Sequence, residues 1–170
     1  MKMLMLILLS LFTASAYAVE IDSLYLDVNG LSKHSSEVYS FRGKKYNFNE
    51  QNPGLGVTFS LRELFPEYLE ITSGWYKNSY SKNTIYFGGH LKRSFIFGDF
   101  VITPKITIGF ATGYKETPMN ADILQITVVP NMQLRYKNVG FSIGYVPASF
   151  ANTEHATVSI VILQFNFKVK

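Results

Sequence analysis

The chain has 170 residues, a formal net charge of +4 and no cysteine, and it carries 14 Phe and 11 Tyr. Charged residues make up only 16%, below the roughly 25% of soluble domains, and the mild positive charge gives no case for nucleic acid as a partner. Three histidines with no HExxH-like spacing and no cysteine leave no metal site, and nothing points to a cofactor.

The opening, "MKMLMLILLSLFTASAYAVE", places Lys2 before an apolar stretch from Leu4 to Phe12, then a small-x-small site at Ala16–Ala18. This is the pattern of a secretory signal peptide over residues 1–18, cleaved near Ala18. A membrane anchor would need an apolar run of roughly 20 residues. The domain to be folded is then 19–170. An exported chain without disulfides is held together by packing or by a membrane.

After Ala18 the dominant signal is period two. In "ILQITVVPNMQLRY", Leu124, Ile126, Val128, Pro130, Met132, Leu134 and Tyr136 share one face, against Gln125, Thr127, Asn131, Gln133 and Arg135 on the other. "VITPKITIGFAT" and "VGFSIGYV" alternate in the same way, and no helical periodicity competes. Taken in order, the segments predict strands at 21-39, 54-62, 68-78, 83-96, 99-112, 122-136, 139-147 and 156-169. Their length suits a tilted bilayer crossing of about 9–11 residues. An even count, short turns near 63-67, 97-98 and 137-138, and longer connections near 40-53, 113-121 and 148-155 fit an outer-membrane barrel. The expected fold is all-β: an eight-stranded antiparallel up-and-down transmembrane β-barrel, monomeric and located in the bacterial outer membrane. A soluble lipocalin-like barrel would instead turn a Lys- and Glu-rich face to water, whereas the polar faces here are Thr, Ser, Gln and Gly.

With both termini periplasmic, His34 lies high on the first strand and Ser79 in the turn after the third. Taken alone, Ser79 is an ordinary turn serine, and His34 an ordinary lumen or surface histidine. Trp75, Tyr76 and Tyr80 fit an interfacial aromatic girdle. The stretch "SKHSSEVYSFRGKKYNFNEQNPGLGVTFS", with His34, Tyr46, Asn47, Glu50, Pro53, Gly54 and Gly56, resembles the first hairpin of the PagP family of outer-membrane lipid A palmitoyltransferases. "WYKNSYSKN" resembles that family's aromatic-Lys-Asp-Ser-aromatic segment, and "VGFSIGYVPASF" its seventh strand with Tyr-x-Pro. The resemblance is diffuse but collinear from about Leu31 to Phe167.

That resemblance implies transfer of a palmitoyl chain from a glycerophospholipid to lipid A, with an acyl chain held in the upper lumen. It carries the catalytic roles onto His34, Asn78 and Ser79, the lateral lipid gates onto Pro53 and Pro147, and the floor glycine onto Gly88 or its neighbours Gly89 and His90. The family has Asp where this chain has Asn78. It also has an amphipathic N-terminal helix for which the residues after Val19 leave no room. A lipid A deacylase and a non-catalytic barrel serving lipid binding, adhesion or membrane integrity are the competing functions.

Overall fold

The computed structural model describes residues 20–61, 65, 67–115, 124–147 and 158–170; the expected signal peptide lies outside them. Eleven strands follow one another: β1 (Ile21–His34), β2 (Val38–Phe41), β3 (Lys44–Asn47), β4 (Gln51–Leu61), β5 (Leu69–Lys77), β6 (Asn83–Lys92), β7 (Phe95–Phe97), β8 (Phe100–Ala111), β9 (Gln125–Tyr136), β10 (Val139–Val146) and β11 (Ile160–Lys168). Eight of them close a barrel in the order β6-β5-β4-β1-β11-β10-β9-β8, with β6 pairing back onto β8. Every barrel pairing is antiparallel, and the first and last strands meet from Tyr25↔Lys168 to His34↔Ile160. The fold is an eight-stranded antiparallel up-and-down transmembrane β-barrel.

Its burial is inverted relative to a water-soluble protein. Among the described residues only Tyr25, Val101, Ala111 and Val158 are buried hydrophobics, while sixteen polar or charged residues are buried. The alternation explains this. On β6, Ile85 and Phe87 point out and are more than half exposed, while Thr84 points in and is fully buried. Such a molecule hides polar groups from an apolar solvent, and closure pairs each barrel strand on both sides except where β9 and β10 part at their outer ends.

Two departures from the sequence expectation have local causes. The first strand ends at His34 rather than 39, and the expected loop 40-53 holds the small hairpin β2–β3. Arg42 and Gly43 turn it with φ of 51° and 75°, the positive pair that a two-residue type I′ turn requires. The expected strand 83-96 is β6 plus β7, broken at Arg93 and Ser94. β7 resumes the same register on β8, Lys92↔Lys105 then Phe95↔Ile102. The missing pair would set Arg93 against Pro104, which has no N–H to give.

The start of β1 and the end of β11 share one end of the barrel, where the Val169 N–H donates to the Leu24 carbonyl at 2.8 Å. The two-residue turns Gly98–Asp99 and Lys137–Asn138 lie there too. The opposite end carries the longer connections and the β2–β3 hairpin, and by the loop-length rule it is the outer end.

Candidate functional site: an outer lumen closed from below

The lumen is divided by a layer of polar side chains to which all eight barrel strands contribute. Asp27 on β1 accepts from Thr58 on β4 and from Asn166 on β11 at 2.6 Å. Thr58 also bonds Thr72 on β5 at 2.9 Å. Asn166 in turn accepts from Ser142 on β10 at 2.6 Å and, past β10, from Gln133 on β9 at 2.8 Å. Asn131 donates to Thr107 on β8, which bonds His90 on β6 at 2.8 Å. Just beneath, Glu70 takes Lys92 on one oxygen at 2.8 Å and Lys105 on the other at 2.9 Å. Both carboxylates have partners on each oxygen, which is the condition under which buried charge is tolerable.

Above this layer lies a cavity of about 380 Å³, within the roughly 300–1,000 Å³ range of small-ligand sites. One side is apolar, with Val129, Val146, Ile160 and Ile162; the other is aromatic and polar, with Tyr76, Tyr86, Ser32 and His34. An aromatic cap spans part of the mouth. Phe48 stacks on the His34 ring (4.1 Å between centroids, 3° between planes), Tyr39 packs on Phe48 and edge-on to Tyr80, and Tyr80 approaches Tyr114. Burial pushes the Tyr80 phenol up to about 12, raises that of Tyr39 and lifts that of Tyr114 well above its ordinary value. At the rim, the Lys33 ammonium holds the Glu50 carboxyl below its usual range by a direct hydrogen bond.

The expected catalytic residues divide. His34 is the last residue of β1, 4% exposed, and it lines the cavity. Neither of its ring nitrogens has a hydrogen-bond partner, so no bond joins it to Ser79 or Asn78. Ser79 lines the same cavity from the β5–β6 turn, and its carbonyl accepts from the Asn49 N–H at 2.8 Å, tying the turn to the chain entering β4. Asn78 is 1% exposed and belongs to the turn. Its amide nitrogen donates to Thr84 Oγ1 and the Gly113 carbonyl, both at 3.0 Å. Its oxygen accepts the Tyr80 and Lys82 N–H groups, also at 3.0 Å. The amide is therefore filled on both sides by the turn and by the loop after β8.

The gate prolines sit at breaks in pairing. Pro53 faces outward opposite Gly30, where the β1–β4 register shifts between Asn29↔Gly54 and Leu31↔Gln51. Pro147 directly follows β10. The larger break involves a residue that the alternation pattern had absorbed as one more outward position. The β9–β10 ladder stops at Gly144↔Asn131, and the next residue of β9 is Pro130. Among the described residues, Gln125 to Pro130 of β9 pair only with β8, while Tyr145 and Val146 pair only with β11. The outer half of β9 and the last two residues of β10 are unzipped from each other. A proline inside an otherwise central strand is the sequence signal for such a seam.

Gly88 lies opposite Gly109 in the β6–β8 wall, and a Cβ there would come within 2.5 Å of the Ile108 carbonyl oxygen. It permits close strand approach and is not part of the cavity lining. The cavity reaches instead to the layer of Asp27, Thr72 and Asn166, and Tyr25 and Lys105 also line it.

No protein-family model matches the chain, and no curated protein is similar to it in sequence. Solved structures do match. A de novo designed transmembrane β-barrel is 17% identical over 88% of this chain and 98% of its own, with a TM-score of 0.56. Neisserial surface protein A is 13% identical over 86% and 96% (TM-score 0.42), and the outer membrane protein OprG from Pseudomonas aeruginosa is 11% identical over 88% and 97% (TM-score 0.43). The likeness to the designed barrel is one of fold: an outer-membrane-type β-barrel.

Proposed function

We propose that the protein is an outer-membrane acyltransferase that takes a palmitoyl-type chain of a glycerophospholipid into its outer lumen and passes the acyl group to lipid A. The observation that supports this reading best is a lumen cavity that reaches down to the polar layer, with an unpartnered histidine in its wall. The β9–β10 seam supplies a route from the membrane.

In this reading a lipid A hydroxyl attacks the ester carbonyl of the donor. The new C–O bond forms as His34 takes the hydroxyl proton. The tetrahedral intermediate then collapses, breaking the bond to the glycerol oxygen, which receives the proton back from His34 and leaves as the lysophospholipid. Ser79, at the same cavity, donates to the developing oxyanion. The His34 ring lies beneath Phe48, so the β3–β4 connection that carries Phe48 moves aside before proton transfer. The location in the outer membrane and the lipid partners belong to this proposal.

A second reading, a non-catalytic barrel that binds acyl lipid, is favoured by the Asn78 amide, which the turn and the loop after β8 fill on both sides. Mass spectrometry of lipid A from cells with and without the protein separates the two. Acyl transfer adds one chain, and His34→Ala lowers that gain by about 10²- to 10⁴-fold, the usual worth of a positioned base. Unchanged lipid A with a folded barrel contradicts transfer and leaves the binding reading.

A further inference from the structure

Within the dividing layer, each polar group just described finds a partner. On the β1–β4 wall above it the opposite holds. Ser32 Oγ, both ring nitrogens of His34 and Asn52 Oδ1 are buried without a hydrogen-bond partner. Ser32 and Asn52 are each 7% exposed, and all three residues line the same cavity. Buried polar atoms without partners are rare in folded proteins, and each asks for a cause.

These three are neighbours by topology. Ser32 and His34 alternate inward on the outer end of β1. Asn52 lies on β4 at the register shift beside Gly30, where the Ser32 N–H donates to the Glu50 carbonyl at 2.9 Å. The stripe carries no fixed charge. The nearest charged side chains, Lys33 and Glu50, are paired with each other at 3.0 Å and exposed. On its other flank β11 sets Ile160 opposite His34 and Ile162 opposite Ser32. A narrow uncharged stripe of donors and acceptors therefore runs beside an apolar channel.

We infer that Ser32 and Asn52, next to His34, form a recognition site for the uncharged glycerol-ester end of a single acyl chain, with the chain lying along Ile160, Ile162 and Val146. The inference rests on the acyl-lipid reading and names the part of the lipid that is recognised. The Ser32 hydroxyl can donate to an ester carbonyl, and Asn52 Oδ1 can accept from a glycerol hydroxyl. A fatty carboxylate would find no free cation on this stripe, so its charge would stay uncompensated.

Native mass spectrometry of the full-length barrel in detergent micelles tests this with 1-palmitoylglycerol and palmitate as probes. The expected result is one 1-palmitoylglycerol per barrel, bound more tightly than palmitate. Ser32→Ala and Asn52→Leu each weaken it about tenfold, the size of one lost hydrogen bond to a ligand. Ser32→Ala removes only an unpartnered buried group, so its melting temperature should hold or rise. Asn52→Leu also removes the donor to the Lys77 carbonyl at 2.8 Å, so its melting temperature should fall while the barrel stays folded. Absence of a one-to-one adduct, tighter palmitate binding, unchanged binding in both variants, or lost binding with a lowered melting temperature in Ser32→Ala would each overturn the proposal. Probe binding with unchanged lipid A sinks acyl transfer and leaves the stripe standing. Acylated lipid A without probe binding does the reverse.

Discussion

The inner and outer halves of this lumen use the same residue types to opposite ends. In the inner half, Glu70 is gripped by two lysines, and Asp27 is shared between Thr58 and Asn166. In the outer half, Ser32 Oγ, the His34 ring nitrogens and Asn52 Oδ1 are just as buried but without a hydrogen-bond partner. Satisfied polar networks fix a structure, and unsatisfied ones wait for something to bind. The barrel thus separates a part that holds the cylinder in register from a part that is free to take a ligand.

The sharpest way to break that comparison is to damage the inner half. Glu70→Ala leaves the Lys92 and Lys105 ammoniums facing each other, and removing one partner of a buried ion group costs about 3–5 kcal/mol. Urea unfolding in lipid vesicles should show this loss, with lipid binding in the cavity retained wherever the barrel is folded. A variant as stable as the native chain would mean that the network is not what fixes the inner half.

The contrast also presupposes that the outside is lipid. Ile108 faces outward between Gly89 and Val128 and is half exposed. Ile108→Arg should cost about 2–4 kcal/mol in the same assay, as charges near the bilayer midplane do in barrels of this kind. A neutral effect would contradict the membrane-spanning orientation.

Asn78 tests whether the outer turn serves chemistry or architecture. Restoring the carboxylate of the resembled family, Asn78→Asp, removes the donor to the Gly113 carbonyl and sets two acceptors against each other. The expected loss is about 1–3 kcal/mol, with no gain in acyl transfer. Higher activity without loss of stability would restore Asn78 to a catalytic role.

The smallest effect concerns the cap. Burial raises the Tyr39, Tyr80 and Tyr114 phenols, Tyr80 to about 12. A neutral acid whose folded value is raised contributes stability that is fully present below pH 10. That contribution fades as pH climbs through the folded value, here toward 12. Absorbance titration should therefore show late-ionising tyrosines, one fewer of them in Tyr80→Phe. A single transition near pH 10 for all tyrosines would mean that the cap is open.

The strands were legible because each crossing alternates within its own ten or so residues, so Leu124 to Tyr136 or Val139 to Val146 declare their faces locally. The β2–β3 hairpin was missed, falling partly in the expected first strand and partly in the expected loop: Arg42–Gly43 carries its turn, but its four-residue arms are too short to stand out. The dividing layer could not be read. Asp27 and Asn166, or Glu70 and Lys105, lie far apart in sequence, and only the register brings them together. The same holds for the site. Sequence placed His34 and Ser79 at one end, which the barrel order reproduces, but the saturation of Asn78 depends on Gly113 in another loop. Pro130 disappeared into a good alternation pattern, although a proline there also marks where a ladder must stop.

The central claim is that an acyl chain enters the outer lumen and stops at the polar layer. A palmitoyl lipid carrying a photoreactive group at its terminal carbon measures this directly, by peptide mapping after irradiation in membranes. Labelling should fall on lumen residues such as Val129, Thr127 and Ile162. Labelling confined to outward residues such as Ile108 and Phe110 would show that the chain stays in the bilayer and that the lumen is not its site.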